Sequence, residues 1–225
     1  MAVLVAGGTG ALGGAVLREL VDSGYEVTAT WLVEQEAERV EADMGDAVRL
    51  LQADLLDADG AAAAVAKVEG LDAVVNLVGG FSDGPKVHET DQATFERMLH
   101  LNVLPAFNLA RAAMPVLSER GEGAFVGVSA RAALRPFPGA AGYIAGKAAL
   151  LAFVQALDAE YKGAGVRCNA VLPSVIDTPA NRRATPDADF SRWVQPAEIA
   201  KVIRFLVSAE SAPVSGAGIP VYGRA

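Results

Sequence analysis

The sequence predicts an α/β fold: one domain, a doubly wound parallel sheet of about seven strands with helices on both faces. Short β-branched runs alternate with longer Ala/Leu-rich stretches, a pattern that builds parallel sheets covered on both sides. A glycine-rich string also separates the first apolar run from the first helical one. The 225 residues suit a single domain spanning 1–225, with no second core required.

The elements follow in order. Residues 2–6 are an unbroken apolar run, read as the first strand, and Leu12, Val16 and Leu20 carry the helical spacing of 11–22. A strand at 25–31 and a helix at 35–44 come next, then a strand at 48–53 and a helix at 57–68. The fourth strand is read at 73–78 and is followed by a long helix at 91–117, with Pro115 near its end. Strands at 123–128 and 166–171 flank a helix at 142–161. Pro196 suits the first turn of a last helix at 196–208, and 219–222 supplies a seventh strand. The stretch 179–195 has no clear period and is rich in charge, so it is read as a lid over an active site.

Composition narrows the function. Twenty-seven acids against nineteen bases, a net charge of −8, argue against nucleic-acid binding, which needs clustered Lys and Arg. The single Cys168 excludes an intramolecular disulfide and sits in an apolar strand, so packing is its expected role. The first residues lack the basic flank of a signal peptide, and Gly7, Gly8 and Gly10 interrupt the apolar run; no membrane anchor and a cytoplasmic location are expected. His88 and His100 lack metal-ligand spacing, so no metal is expected.

Two strings carry chemistry. In Ala6-Gly7-Gly8-Thr9-Gly10-Ala11-Leu12-Gly13-Gly14, strand runs through turn into helix, the context of a dinucleotide site. Gly7 and Gly10 permit the tight turn and close approach to a pyrophosphate, Gly13 permits close helix packing, and the helix N-terminus attracts negative charge. The second string is Tyr143-Ile144-Ala145-Gly146-Lys147, fourteen residues after Ser129. Tyr143 and Lys147 share a helix face, with Cβ atoms about 5–6 Å apart. An ammonium near a phenol lowers its pKa from about 10 toward the range where it can exchange protons. An ordinary amphipathic pair is the alternative reading of the same spacing.

Together these strings resemble the short-chain dehydrogenase/reductase family along nearly the whole chain. The spacing Gly7-x-x-Gly10-x-x-Gly13 is similar to its atypical or extended branch. Asp54-Leu55 stands where the family contacts adenine, and Asn76-Leu77-Val78-Gly79 stands where it has Asn-Asn-Ala-Gly. Asn102 matches the family Asn that opens the long helix and holds a water for a proton relay. Pro173-Ser174-Val175-Ile176-Asp177-Thr178 resembles the segment that packs on the nicotinamide, with Ser174 replacing the usual glycine and Thr178 as carboxamide contact. The resemblance implies a Rossmann-like NAD(P)-binding domain and an oxidoreductase moving hydride between nicotinamide and a carbonyl or alcohol carbon. It assigns Ser129 to orient the carbonyl, Tyr143 to exchange the proton, Lys147 to lower the tyrosine pKa and hold the ribose, and Asn102 to link to solvent. It places Gly7, Thr9, Gly10, Ala11, Leu12, Gly13, Thr30, Asp54, Leu55, Asn76, Val78, Gly79, Tyr143, Lys147, Pro173, Ile176 and Thr178 around the cofactor.

The second strand ends in Thr28-Ala29-Thr30-Trp31-Leu32-Val33 without the acid that favours NAD. NADP(H) is therefore favoured, with Thr30 as a hydrogen-bonding group for the 2′-phosphate and Arg39 as the nearest base. Phe190 and Trp193 suit an apolar or aromatic carbonyl compound, and Arg182, Arg183 and Arg192 an anionic one. Similarity of the glycine loop and Gly79-Gly80-Phe81 to the dihydropteridine reductase branch leaves a quinonoid pterin reductase as an alternative. A non-catalytic NADP-binding sensor or scaffold is another, although such proteins commonly lose the Tyr–Lys pair. The family pairs its two long helices, here 91–117 and 142–161, in homodimers or homotetramers.

Overall fold

In strand β1 (Ala2–Ala6), Val3 and Val5 face one side while Ala2, Leu4 and Ala6 face the other, and all five are buried. A strand buried on both faces needs a helical layer on each, which is what the chain supplies. The computed structural model describes residues 1–224. β1 is followed by α1 (Gly13–Asp22), β2 (Glu26–Trp31), α2 (Glu34–Met44), β3 (Val48–Gln52), α3 (Ala58–Ala66) and β4 (Leu71–Asn76). The second half comprises α4 (Gln92–Arg120), β5 (Gly123–Val128), α5 (Ala141–Tyr161), β6 (Val166–Pro173), α6 (Pro179–Ala184), α7 (Pro196–Val207) and β7 (Gly218–Val221). All strands are parallel, in the order β3-β2-β1-β4-β5-β6-β7.

One apolar layer joins α3, α4 and α5 to the sheet through Val65, Leu109, Met114, Leu150, Val154 and Phe125. The other joins α1, α2 and α7 through Leu17, Leu20, Val40, Ile199, Ile203 and Val126. The strand order reverses between β1 and β4, whose ends Ala6 and Asn76 are register partners. At such a switch point the loops leaving neighbouring strands diverge to opposite faces and open a crevice.

Several bounds differ from expectation. α1 begins at Gly13, because residues before it form the turn. β4 ends at Asn76, which leaves Leu77 and Val78 in the loop above the sheet. α4 runs on to Arg120 with both Pro105 and Pro115 inside it, and stops at Gly121, whose φ of 73° is left-handed. Each proline removes one backbone donor. The burial of α4 against the sheet and α5 keeps the helix continuous. The stretch expected to lack structure contains α6 and a short 3-10 turn at Phe190–Arg192. Among the described residues, no helix is long and apolar enough to cross a membrane.

Candidate active site

The glycine string turns tightly at the end of β1. Gly7 has φ 70°, and Gly10 N–H donates to its carbonyl at 3.2 Å. A Cβ on Gly13 would collide with the Gly8 carbonyl, so only glycine lets α1 start this close to the strand. The loop borders a cavity of about 400 Å³, also lined by Thr30–Val33, Glu36, Ala53–Leu56, Leu77–Gly79, Leu101 and Pro105. A glycine cradle at a helix N-terminus, opening on a cavity at the switch point, fits a dinucleotide.

Around this cavity the expected residues sit as follows. Asp54 lines it, while its Oδ1 also accepts from Leu56 N–H at 2.9 Å and shapes the turn. Asn76 Oδ1 accepts from Val78 N–H at 3.2 Å, holding the loop that follows β4; its buried Nδ2 has no partner among the described residues. Thr30 is buried in the cavity wall, and its hydroxyl oxygen accepts from Gly7 N–H at 3.0 Å, so it braces the glycine loop.

Glu36 and Asn108 were not singled out from the sequence as binding groups, whereas Arg39 was named there as the nearest base. Arg39 Nη2 donates to the Thr9 carbonyl at 2.8 Å, and Thr9 Oγ1 donates to Glu36 Oε2 at 3.3 Å. Asn108, buried in α4, donates to the carbonyls of Leu55 at 3.0 Å and Leu56 at 3.2 Å and pins that wall of the cavity. The i, i+3 spacing to Arg39 was a signal for Glu36; nothing local marks Asn108, whose partners lie more than fifty residues away.

Of the four proposed catalytic residues, Ser129 bonds to Lys147, Lys147 and Asn102 both lie close to Gly79, and Tyr143 stands one helical turn before Lys147. Lys147 is buried, and its Nζ donates to the Val128 carbonyl at 2.8 Å; burial brings its pKa down to about 8. Ser129 Oγ donates to the Lys147 carbonyl at 2.7 Å. Asn102 is fully buried: Nδ2 donates to the carbonyls of Met98 at 2.9 Å and Gly80 at 3.0 Å, and Oδ1 accepts from Gly80 N–H at 3.2 Å. Gly79 makes this closure possible, since a Cβ there would stand 2.7 Å from Asn102 Oδ1 and 2.8 Å from Lys147 Nζ. Gly146 does the same between helices, where a Cβ would stand 3.0 Å from Asn102 Cβ and from the Met98 carbonyl.

Two expectations are corrected here. Burial pushes the Tyr143 phenol up to about 12, where a lowered value was expected from Lys147. The ammonium is turned under Gly79 toward Val128, so desolvation prevails over any charge effect on the phenol. Nor does α4 open at Asn102; the side chain bonds back to the Met98 carbonyl inside a continuous helix.

Pro173 ends β6 beside Val221, and Ile176 bridges to Val194. Ser174 replaces glycine without strain, since no described non-glycine residue has positive φ, and its hydroxyl donates to the Tyr222 carbonyl at 2.8 Å. Thr178 Oγ1 caps α6 by accepting from Asn181 N–H at 3.2 Å. Beyond it, Arg182 forks onto Asp177 at 2.5 and 2.7 Å, and Gln195 donates to the same carboxylate at 2.8 Å. These bonds, Arg182 first, hold the Asp177 pKa down at about 2. The Arg182 guanidinium also lies 4.6 Å above the Phe190 ring, which packs against Trp193 at 4.7 Å. Arg182 thus latches the segment. Phe81, exposed, sets its ring edgewise on Tyr143 at 5.0 Å.

Comparison with known proteins agrees with this geometry. The family model for the short chain dehydrogenase matches residues 1–189. The 2-(S)-hydroxypropyl-CoM dehydrogenase 3 of Xanthobacter autotrophicus is 30% identical over 98% of the chain and 94% of its own length. The acetoacetyl-CoA reductase of Allochromatium vinosum is 29% identical over 98% and 96%. Among solved structures, a short chain dehydrogenase/reductase family protein superposes with a TM-score of 0.92 at 33% identity, covering 99% of this chain and 96% of that one. A 3-oxoacyl-[acyl-carrier protein] reductase with bound NAD from Brucella melitensis gives 0.86 at 29%, covering 99% and 89%. Because the family match extends over most of the chain and these relatives align along nearly all of it, the chain belongs to the short chain dehydrogenase family and is an NAD(P)-dependent oxidoreductase.

Proposed function

We propose that the protein interconverts a small apolar carbonyl compound and its alcohol, with Tyr143 as the general acid–base. The carrying observation is that buried Ser129 hydrogen-bonds the carbonyl of buried Lys147, one helical turn after the half-buried Tyr143, while Asn102 and Lys147 both close on Gly79. A bound nicotinamide supplies or accepts the hydride. Tyr143 gives its proton to the carbonyl oxygen in reduction and takes it back in oxidation. Ser129 orients that oxygen once its hydroxyl turns from the Lys147 carbonyl. Swinging the Lys147 ammonium off Val128 brings its charge to bear on the phenol and lowers a pKa that burial alone holds near 12. Asn102, bonded to both Met98 and Gly80, fixes the floor under Lys147 and links it toward solvent.

Phe81 against Tyr143, with Phe190 and Trp193 in the 179–195 lid, supports an apolar or aromatic substrate. The relatives are a 2-(S)-hydroxypropyl-CoM dehydrogenase and an acetoacetyl-CoA reductase, which supports the carbonyl–alcohol reading over a quinonoid pterin. The retained Tyr143–Lys147 pair argues against a non-catalytic scaffold. NADP(H) is favoured because positions 31–33 carry no acid while Arg39 reaches the glycine loop. Phe107, exposed on α4 and 6.2 Å from Phe153 on α5, supports pairing of these helices in a homodimer or homotetramer. The single buried Cys168 fits a reducing cytoplasm.

Replacing Tyr143 by Phe is expected to cut turnover by roughly 10²–10⁴-fold while leaving NADPH affinity within a few-fold. The check is a panel of aliphatic and aromatic ketones and alcohols followed by NAD(P)H absorbance, with cofactor affinity from fluorescence titration. Near-normal turnover in the variant would refute the assigned role.

A further inference from the structure

Among the described residues, no side chain caps the start of α5. Its N-cap is Ala140, which has no oxygen to offer the first backbone N–H groups, and Tyr143 stands in that first turn. The two polar partners expected for the phenol are engaged elsewhere, Ser129 on the Lys147 carbonyl and Lys147 on the Val128 carbonyl. What reaches this turn instead is the segment after β4. The Asn102 side chain grips Gly80 by both backbone groups, accepting from its N–H at 3.2 Å and donating to its carbonyl at 3.0 Å. Further along, Gly84 N–H donates to the Gly139 carbonyl at 2.9 Å, just before the helix. Gly139 has φ 85°, and a Cβ there would stand 2.7 Å from the Gly84 carbonyl oxygen, so this second anchor needs glycine. Between the two anchors Phe81 sets its ring edge-on to Tyr143, with centroids 5.0 Å apart and planes at 86°, an arrangement that aromatic quadrupoles favour.

We infer that Phe81 is a positioning residue for Tyr143, held in place by a strap that Asn102 pins at one end and Gly139 at the other. The inference rests on the reading of Tyr143 as the proton donor and extends it to a residue that touches the donor and not the reacting atoms. A proton passes only over hydrogen-bond distance, and small misplacements of a reacting group cost rate steeply, so a phenol in an uncapped first turn must be kept from drifting. Phe81 holds the ring by packing, which leaves the hydroxyl free for the substrate oxygen. Asn102 then acts through Gly80 on the strap as well as beneath Lys147.

The test joins a ring measurement to kinetics on Phe81→Leu, Phe81→Tyr and Gly139→Ala, with thermal melts to establish that each variant is folded. In protein carrying ring-labelled tyrosine, the Tyr143 signal is identified by its loss in Tyr143→Phe. The NMR order parameter of that ring is expected to fall in Phe81→Leu and Gly139→Ala and to hold in Phe81→Tyr. With acetophenone and 2-heptanone as probes, Phe81→Leu is expected to lower kcat about ten- to hundredfold and to enlarge the solvent deuterium isotope effect, because the proton step slows. Cofactor affinity, read by fluorescence titration, stays close to the wild type. Phe81→Tyr is expected to keep kcat within about threefold, since it retains the edge-on ring. An unchanged ring in Phe81→Leu overturns the positioning role, and an unchanged ring in Gly139→Ala overturns the strap. A loss confined to KM with an unaltered isotope effect would make Phe81 a substrate contact alone and overturns the proposal too. If the wild type reduces no ketone of the panel while Phe81→Leu still loosens the ring, the proton-donor reading falls and this proposal falls with it.

Discussion

Lys147 is a cation held inside the protein by one carbonyl, and the fold is destabilised by keeping it charged there. Its pKa of about 8 in the folded chain lies below the 10.5 of an exposed lysine, so between those values the unfolded chain binds more protons. Stability from this group therefore rises with pH through roughly 8 to 10.5. Tyr143 works the other way: raised to about 12, it keeps its proton in the folded state and loses stability as pH climbs from 10 to 12. Lys147→Met is expected to melt higher than the wild type at pH 7, by up to about 3 kcal/mol, with the gap closing as pH passes through 8 toward 10.5. Thermal unfolding of both proteins at stepped pH checks it, and a gap independent of pH would contradict it. The proposal of Ser129, Tyr143 and Lys147 comes from the sequence, because the spacing of a helical pair and an upstream hydroxyl is written locally. Where the Lys147 ammonium points was not legible there, since Val128 reaches it from the end of β5 and Gly79 from the loop after β4.

At the scale of elements, the strand–turn–helix of β1 and α1 shows how a short pattern becomes a site. Gly13→Ala pushes a methyl into the Gly8 carbonyl, and the loop must shift to admit it. At least a tenfold loss of NADP⁺ and NAD⁺ affinity is expected, measured by titration, with the overall fold retained by circular dichroism; unchanged affinity would show that the loop yields freely. The same logic places α4 and α5, whose crossing depends on Gly146. Sequence periodicity located most helices because apolar residues recur along them, as in Val16, Leu17 and Leu20. It misplaced their ends where capping decides: Asp91 accepts from Thr94 N–H and starts α4, and Gly121 stops it three residues beyond the expected 117. Arg167 illustrates a contact that no local pattern reveals, since it donates from β6 to the Leu206 and Ser208 carbonyls at the far end of α7.

For the whole molecule, the proposed pairing through α4 and α5 would draw on apolar groups that the central sheet leaves outside, Phe107 and Val116 being exposed on α4. Phe107→Arg is expected to shift the protein to a smaller species in light scattering coupled to gel filtration, with unchanged far-ultraviolet circular dichroism; a wild type that is monomeric at micromolar concentration would rule the pairing out. The sequence alone determined the parallel α/β architecture, the position of the glycine loop and the presence of a Tyr143–Lys147 helix, because period, glycine spacing and helical offset are properties of neighbouring residues. Only the tertiary structure decided that Thr30 braces Gly7, that Arg39 and Glu36 meet at Thr9, that Asn108 holds the Leu55–Leu56 wall, and that Asn102 and Lys147 close beneath Gly79. Those contacts join residues distant in sequence, and they arise because the reversal of strand order between β1 and β4 brings the ends of several strands to one crevice.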